Sequence, residues 1–349
     1  MVLSRIESIG TYVPERVVTT EELVGRLDPE FRFDLERITG IRERRVHRNA
    51  DGVIEDSCVL ASTAARQCLD NSRYTAEDLD IVISTSITRT VAGTKFYYEP
   101  SFALLVRNTI GAHDAKYFDI TNACAGMSTG VLILDSMIRA GLVRRGLVVS
   151  GEQITPIAET AVREISKKYD PHFAALTVGD AGAAVLLDAE GSPGDSIEFI
   201  DMMTSAEYAD LCIGMPSDRN QGIAMYTDNR AMQNEERYLQ GIRRLRDYLA
   251  TRGSSFEQEG FDFVIHHQFS KPALEYVNSL MVREYESPQP EHLTSLEKYG
   301  NTASTSHFVV LHDHLKRGEI PPGSKVLIVP SASGMVYGTI SVSLREVGV

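Results

Sequence analysis

The sequence predicts an α/β protein built from two similar halves. Short apolar runs rich in β-branched residues recur along the chain, and each has the length of a buried strand. Helical patterns lie between these runs, which favours mostly parallel sheets covered by helices. The strand-like runs also form pairs: Val82 and Val264 are 182 positions apart, and Val148 and Leu327 are 179 apart. Matching offsets of this kind indicate an internal duplication.

The first half contains two predicted strands and two predicted helices. "EDLDIVISTS" (77–86) and "RRGLVVSGE" (144–152) are apolar runs introduced by polar residues, as expected of buried strands. "CVLASTAARQCLDN" (58–71) and "GVLILDSMIRAGL" (130–142) repeat apolar residues at helical spacing. We place this half at residues 1–190.

The second half, residues 191–349, repeats the pattern. "EGFDFVIHHQ" (259–268) and "GSKVLIVPSASG" (323–334) are its paired strands. The segment 203–255 has no counterpart in the first half and combines a polar loop with a charged helix. We therefore predict that it is a connecting cap that forms a wall of a substrate site.

Composition excludes several classes of protein. The chain has 349 residues, of which 43% are hydrophobic and 24% charged, as in soluble globular proteins. It has no apolar run long enough to span a membrane, and its net charge of −13 argues against nucleic-acid binding. The four cysteines lack metal-ligand spacing, so we expect free thiols, no metal and a cytoplasmic location.

One cysteine lies in an unusual setting. "DITNACAGMSTG" (119–130) places Cys124 between two alanines, just before a glycine and a helical pattern. Small neighbours would give a second reactant access to the sulfur, and a helix N-terminus would stabilise a thiolate. A thiolate can take part in acyl transfer through a thioester. On position alone, the favoured interpretation is a small buried hydrophobic side chain, as most free cysteines are.

Other polar groups follow later strands. "FVIHHQ" ends in His266 and His267, which point to opposite faces if the strand continues, so only one can face a given site. "KYGNTASTSH" could present the Asn301 carboxamide from a turn, and Gly334 and Gly338 permit close backbone approach. The ordered set of Cys, His, Asn and Gly is a stronger signal than any one of its members.

The sequence resembles the thiolase superfamily, specifically condensing enzymes of the β-ketoacyl synthase III type, over nearly its whole length. The motifs that carry the resemblance are "ITGIRERR" (38–45), "FDITNACAGMSTG" (118–130), "LTVGDAGAAVLL" (176–187), "HQ" (267–268) and "YGNTASTS" (299–306). The resemblance implies a five-layered αβαβα fold of two duplicated halves, a homodimer and no cofactor.

The resemblance also implies roles for individual residues. Cys124 would carry the acyl group, and His267 and Asn301 would stabilise the enolate of a second acyl thioester. His266 is the alternative for the histidine role, and the pairing of His267 with Gln268 favours His267. Backbone N–H groups of Cys124 and of Ser333–Gly334 would hold the other oxyanion.

Departures from typical chain-initiating synthases narrow the expected function. The chain has no Trp, and Asp34 and Ile38 stand where those enzymes carry the residues that enclose the CoA adenine. The loop 86–101 is longer and ends in Glu99-Pro100, 25 positions before Cys124. The Glu-Pro pair, together with "TSAEYADLCIG" (204–214) and "HHQFSKP" (266–272), resembles the head-to-head condensing branch, which includes olefin-pathway thiolases and stand-alone α-pyrone-forming ketosynthases. Glu99 would then act as a general base across the dimer interface.

The expected substrates are acyl thioesters carried by an acyl carrier protein or CoA. Such carriers are acidic, and the basic residues expected to dock one are Arg243, Arg244, Arg246 and Lys271. The function predicted is a Claisen condensation that gives a β-keto product, in polyketide or fatty-acid biosynthesis. A chain-initiating β-ketoacyl synthase III, an O- or N-acyltransferase of the same fold, and an inactive scaffold are the alternatives.

Overall fold

The computed structural model describes residues 2–48 and 51–349. In these residues it forms seventeen strands: β1 (Arg5–Tyr12), β2 (Val17–Thr19), β3 (Glu43–Arg45), β4 (Ile81–Ser84), β5 (Thr90–Val91), β6 (Lys95–Phe96), β7 (Lys116–Asp119), β8 (Arg145–Glu152), β9 (Ala181–Asp188), β10 (Ser196–Thr204), β11 (Cys212–Pro216), β12 (Ile223–Thr227), β13 (Phe263–His266), β14 (Glu291–His292), β15 (Ser324–Val329), β16 (Ser331–Ala332) and β17 (Val336–Leu344).

The same residues form eleven α-helices: α1 (Thr20–Gly25), α2 (Leu35–Thr39), α3 (Ser57–Asp70), α4 (Phe102–Ile110), α5 (Gly126–Arg139), α6 (Pro156–Glu164), α7 (Glu235–Thr251), α8 (Phe256–Glu259), α9 (Lys271–Tyr285), α10 (Leu296–Tyr299) and α11 (Ser306–Lys316). Two of them, α5 and α11, continue directly from a short 3-10 turn. We name these turns the Cys124 turn (Ala123–Ala125), before α5, and the Ser304 turn (Ala303–Thr305), before α11.

The two large sheets have the same topology. The first has the order β1-β9-β8-β4-β7 and the second β10-β17-β15-β13-β14, with β16 paired to β17. In both, the first three strands pair antiparallel and the remaining neighbours pair parallel. The first sheet lies within residues 5–188 and the second within 196–344. The division of the chain at residue 190 stays a prediction.

Helices cover both faces of both sheets, which confirms the predicted five-layered fold. Helices α5 and α11 contribute apolar side chains such as Val131 and Val310 to a central core shared by the two sheets. Helices α3 and α4 bury Ala64 and Phe102 on the outer face of the first sheet. Helices α7 and α9 bury Leu245 and other apolar residues on the outer face of the second.

The segment expected to be a cap divides into two parts. Helix α7 is an outer-layer helix, because Leu239, Leu245 and Leu249 pack with Phe199 and Leu327 of the second sheet. The hairpin β11–β12 forms its own two-stranded sheet and packs on α6 of the first half. The helical part of 203–255 is therefore core structure, and the hairpin is the part that reaches across the molecule.

None of the helices in residues 2–48 and 51–349 combines the length and the apolar character needed to cross a membrane.

Candidate active site

Cys124 lies in a tight turn at the start of a long helix. Ala123, with φ of 44°, adopts left-handed backbone, and the Cys124 turn leads directly into the fourteen residues of α5. A Cβ atom added at Gly126 would lie 2.8 Å from the carbonyl oxygen of Thr85, so a side chain there requires a backbone shift. Small residues at this turn therefore allow α5 to approach the end of β4 closely, a packing reason that the sequence does not reveal.

The Cys124 side chain is half-buried. It packs against the cluster of Ala125, Ala332 and Val336, where the β16–β17 region meets the turn. Burial raises the pKa of the Cys124 thiol, and the nearby Cys212 and Glu152 raise it further. Burial therefore opposes the thiolate that a helix N-terminus is expected to stabilise.

Asn301 is held in place by its own turn. Its backbone N–H donates to the Thr177 carbonyl over 2.9 Å, and its carbonyl accepts from Gly179 N–H over 3.0 Å. Its side-chain Oδ1 accepts from the Ala303 N–H over 2.9 Å. With the carboxamide oxygen used in this way, the NH₂ group is the part of the side chain free to donate to a ligand.

The Ser304 turn brings Asn301 towards Cys124. Ala303, two residues after Asn301, has φ of 54° and lies in left-handed backbone, as Ala123 does. The Ser304 turn packs against the Cys124 turn and against α5. The two turns, 180 residues apart, therefore meet at the boundary between the two sheets.

The two histidines at the end of β13 have different aromatic neighbours. Val264 belongs to the outer core with α7 and α9, whereas Ile265 belongs to the central core. By alternation along β13, His266 follows Val264 outwards, and its ring stacks on His292 with centroids 5.1 Å apart. The ring of His267 lies 5.6 Å from that of His307, on the central helix α11.

Both histidines are buried and neutral. Burial lowers the pKa of His266 and of His267 to about 3. His266 Nε2 and His267 Nδ1 have no hydrogen-bond partner among residues 2–48 and 51–349. Both rings line a cavity of about 70 Å³ that extends between α7 and α9 and is lined mainly by apolar and aromatic side chains. Both histidines therefore border this outer cavity, and the ring of His267 also lies beside His307 of the central helix α11.

Ser333 and Gly334 lie in the turn between β16 and β17. Gly334 has φ of 80° and Met335 has φ of 51°, so the backbone reverses here through two left-handed residues. The Ser333 hydroxyl donates to Cys212 Sγ over 3.1 Å. Strand β16 packs against the Cys124 turn, which brings this backbone next to the cysteine.

Glu99 is exposed in the single chain. It lies between β6 and α4, after Phe96 and Tyr98, whose rings are 4.8 Å apart and also exposed. A single chain therefore does not bury Glu99 in an apolar tunnel. Its delivery to a partner subunit stays a prediction.

The basic residues expected to dock a carrier protein are largely paired. Arg243 pairs with Glu236 and Glu284, at 2.9 and 3.4 Å. Arg244 forms two hydrogen bonds of 2.6 Å to Asp201, and Arg246 pairs with Glu284 at 3.3 Å. These arginines therefore offer a carrier little unpaired positive charge. Lys271, at the exposed start of α9, forms no ion pair with any of residues 2–48 and 51–349.

Sequence reasoning gave no role to three residues next to Cys124. Cys212 was without a partner motif, but β11 brings it beside Cys124 and Ser333. Glu152 ends β8 and accepts a hydrogen bond of 2.6 Å from Ser304. The offset of 180 residues between Cys124 and Ser304 was the available signal for Ser304, since it matches the offset between the paired strands.

A second cleft, of about 840 Å³, lies elsewhere. The residues that line it are Tyr169, Pro171, Asp210, Tyr226, Thr227, Asp228, Asn229, Arg230 and Gln233. None of the predicted site residues is among them. No group of three or more His, Cys, Asp or Glu side chains suited to a metal ion occurs in the part of the chain that the structure describes.

Two family models match the chain. Residues 118–206 match 3-oxoacyl-[acyl-carrier-protein] synthase III, and residues 252–344 match the C-terminal region of the same synthase. The chain is 26% identical over 339 residues to a β-ketoacyl-[acyl-carrier-protein] synthase III of Bacillus anthracis, covering 96% of this chain and 97% of that protein. It is 27% identical over 355 residues to the Streptococcus mutans synthase III, covering 99% of this chain and all of that protein.

Solved structures of similar proteins share the fold. A crystal structure of Xanthomonas campestris OleA has a TM-score of 0.80 at 22% identity and covers 98% of both chains. Another OleA structure, with bound lauric acid and lauroyl-CoA, has a TM-score of 0.79 at 22% identity and covers 98% of this chain and 99% of that one. The Aquifex aeolicus 3-oxoacyl-[acyl-carrier-protein] synthase III has a TM-score of 0.77 at 23% identity, over 97% and 99% of the two chains.

Proposed function

Since this chain belongs to the ketosynthase III-like condensing enzymes of the thiolase superfamily, we propose that it joins two acyl thioesters through an acyl-Cys124 intermediate. The observation that carries the proposal is the meeting of two turns, one presenting Cys124 and the other fixing Asn301, beside the backbone of Ser333–Gly334. The product is a β-ketoacyl compound.

The first half-reaction loads the enzyme. The Cys124 sulfur attacks the carbonyl carbon of the donor thioester, and the carrier thiol leaves with a proton. Negative charge develops on the carbonyl oxygen during this step. The N–H groups of Cys124 and of the Ser333–Gly334 turn would stabilise it, because fixed donors in a dry site need no reorganisation when the charge appears.

The second half-reaction forms the carbon–carbon bond. The α-carbon of the second acyl thioester attacks the carbonyl of acyl-Cys124, and the cysteine leaves as the thiolate. The enolate oxygen of the attacking thioester would accept hydrogen bonds from the Asn301 amide and from His267. A pKa of about 3 keeps His267 neutral at physiological pH, so it would donate its N–H without a permanent positive charge.

The source of the carbanion separates the head-to-head branch from a chain-initiating synthase. We infer that the second thioester loses an α-proton to Glu99 of a partner subunit, because the chain has no Trp for the usual adenine clamp and carries Glu99 in an exposed aromatic loop. The second candidate is a decarboxylating initiator, which the names of the curated relatives favour. An initiator of that kind would not need Glu99.

We also propose an acyl carrier protein as donor and a homodimer as the active form. The carrier is named in the family and in the curated relatives. Because the three arginines of α7 are ion-paired, Lys271 is the residue of the expected set best placed to attract an acidic carrier.

Acyl loading followed by peptide mapping tests the proposal. We expect the added acyl mass on the peptide that contains Cys124, and we expect Cys124→Ala to lose it. Cys212→Ala is the matched control, because Cys212 is the second thiol beside the site. Acyl mass on Cys58, Cys68 or Cys212 in the unmodified protein would show that the nucleophile is misassigned.

A further inference from the structure

A buried carboxyl group next to Cys124 has no role in the proposed mechanism. Glu152, at the end of β8, is completely inaccessible to solvent, as are Ser150 and Ser304. Glu152 Oε2 accepts from the Thr88 N–H over 3.1 Å and from the Thr88 hydroxyl over 2.9 Å. Oε1 accepts from the Ile87 N–H over 2.9 Å.

The same Oε1 atom belongs to a triangle of oxygen atoms. The Ser150 and Ser304 hydroxyl oxygens lie 2.9 and 2.6 Å from Glu152 Oε1, and 2.7 Å from each other. All three distances are those of O–H···O hydrogen bonds. Three such bonds need three hydrogens, but each serine hydroxyl supplies only one.

We propose that the third hydrogen is on Glu152, which is held as a neutral carboxylic acid in this cluster. The proton on Oε1 then donates to one serine, that serine donates to the other, and the second serine donates back to Oε1. Each hydroxyl donates once and accepts once, and the Ile87 N–H still reaches Oε1. With an ionised carboxylate, two of these oxygens would face each other at hydrogen-bond distance without a hydrogen between them.

The surroundings of Glu152 agree with this assignment. It forms no ion pair with an Arg, Lys or His of the described residues. Burial has the largest effect and raises the pKa of Glu152, although the hydrogen bonds from Ser304, from the two backbone N–H groups and from Ser150 favour the ionised form. An unpaired carboxylate without access to water is costly, and protonation removes that cost.

The protonation of Glu152 affects the neighbouring thiol. The titratable groups that act on Cys124 in the described structure are Glu152 from β8 and Cys212 from β11. A negative charge on Glu152 would oppose formation of the Cys124 thiolate, whereas a neutral acid does not. Glu152 is therefore a positioning residue: it links the Ser304 turn to β8 beside the nucleophile without adding a second negative charge. Its importance for catalysis rests on the proposed function, but its protonation state does not.

Infrared difference spectroscopy tests the proposal on the intact protein without substrate. The spectrum of the wild type minus that of Glu152→Gln should contain the C=O stretch of a protonated carboxylic acid at pH 7. Carboxylate bands in its place would overturn the proposal. Should Glu152→Gln fail to fold, Ser304→Ala provides the same test: it removes one hydrogen-bond partner and should shift the acid band, whereas an unchanged spectrum in the acid region would contradict the proposal.

The rate of Cys124 alkylation at a fixed pH gives a second readout. Glutamine is neutral and similar in shape, so iodoacetamide at pH 8 should label Cys124 at the same rate in Glu152→Gln and the wild type. If Glu152 is ionised, its removal would lower the pKa of the thiol and raise that rate by about tenfold or more. Labelling and spectra need no condensing activity, so failure of this proposal and failure of the proposed function remain distinguishable.

Discussion

Two residues that we propose as enolate-stabilising donors reach the site from different parts of the fold. Asn301 is fixed by backbone hydrogen bonds to Thr177 and Gly179 and by its bond to Ala303. His267 is fixed by burial against His307 and by its N–H bond to the Val329 carbonyl, of 3.2 Å. Each donor is oriented before substrate arrives, which is the condition for effective electrostatic stabilisation.

Substitution of these donors should affect condensation more than loading. His267→Ala and Asn301→Ala are expected to accept the acyl group on Cys124 but to condense about 10²–10³-fold more slowly, the usual cost of one oxyanion donor. Single-turnover assays that follow loading and product separately measure this. His266→Ala is the matched control, since its ring faces the outer layer against His292. A condensation defect in His266→Ala alone would reverse the assignment.

At the scale of elements, the outer helix α7 packs into the core and also lines the cavity that the two histidines border. It buries Leu245, which is 2% exposed, against the second sheet, while the next residue, Arg246, is exposed and pairs with Glu284 of α9. Seven of the seventeen residues of α7 are Arg, Asp or Glu, and this high charge is the reason that the sequence predicts a cap here. The apolar positions between these charges are the ones that determine where the helix packs.

Truncation of the buried face of α7 should destabilise the protein. Leu245→Ala is expected to lower the free energy of unfolding by about 2–5 kcal/mol, because it leaves a cavity between α7 and the sheet. Arg246→Ala is the matched control on the next residue and should cost about 1 kcal/mol or less, since the Arg246 side chain is exposed. Chemical denaturation of both variants checks this, and equal losses would place α7 outside the core.

The strands were predictable from sequence and several features of the site were not. The predicted runs at 77–86 and 259–268 contain β4 and β13. These strands could be predicted because a strand buried on both faces must be apolar at successive positions, which is visible in the local sequence. The role of Gly126 depends on Thr85, and the environment of Glu152 depends on Ser304; both contacts join segments far apart in the chain. Ion pairing of Arg244 with Asp201 is likewise a tertiary contact. No local pattern encodes such contacts.

At the scale of the whole molecule, the five layers place the Cys124 turn and the Ser304 turn in the middle. The loop that carries Phe96, Tyr98 and Glu99 lies on the outside. Helices α5 and α11 begin at the Cys124 turn and the Ser304 turn, respectively. Because the two turns pack against each other, each turn fixes the start of the other central helix. Phe96 and Tyr98, in contrast, are 39% and 76% exposed. An exposed aromatic pair next to Glu99 is suited to burial against another subunit.

Mixed dimers test the proposed contribution of Glu99 from a partner. Glu99→Ala alone should load Cys124 but fail to condense a second chain that lacks a malonyl carboxylate. Glu99→Ala mixed with Cys124→Ala should recover activity at one of the two sites in each mixed dimer. Glu257→Ala, an exposed glutamate on α8, controls for loss of one surface charge. Full condensation by Glu99→Ala would contradict the proposal.

The buried histidines predict acid sensitivity of the whole fold. Burial lowers the pKa of His266 and His267 to about 3 and that of His307 and His312 to about 4, from 6.5. Since the unfolded chain binds more protons between these values, the stability contributed by neutral histidines is complete above pH 6.5 and decreases as the pH falls. The Tm should therefore decrease from pH 7 to pH 4.

A variant isolates the histidine contribution from that of the carboxylates. His312→Gln removes one buried titrating ring that is hydrogen-bonded to Thr11 over 2.8 Å. The difference in Tm between this variant and the wild type should become smaller as the pH falls. A constant difference across the range would show that His312 does not titrate in this window.

The repeated turn has an evolutionary consequence. Ala123 and Ala303 share a left-handed conformation 180 residues apart, but Cys124 reaches partly to the surface while Ser304 is sealed against Glu152. After a duplication, one copy of the turn could therefore keep its contact with reactants, while the other was free to become part of the interior. The duplication is then easier to recognise from the backbone conformation that the two turns share than from their side chains, which have diverged in chemistry.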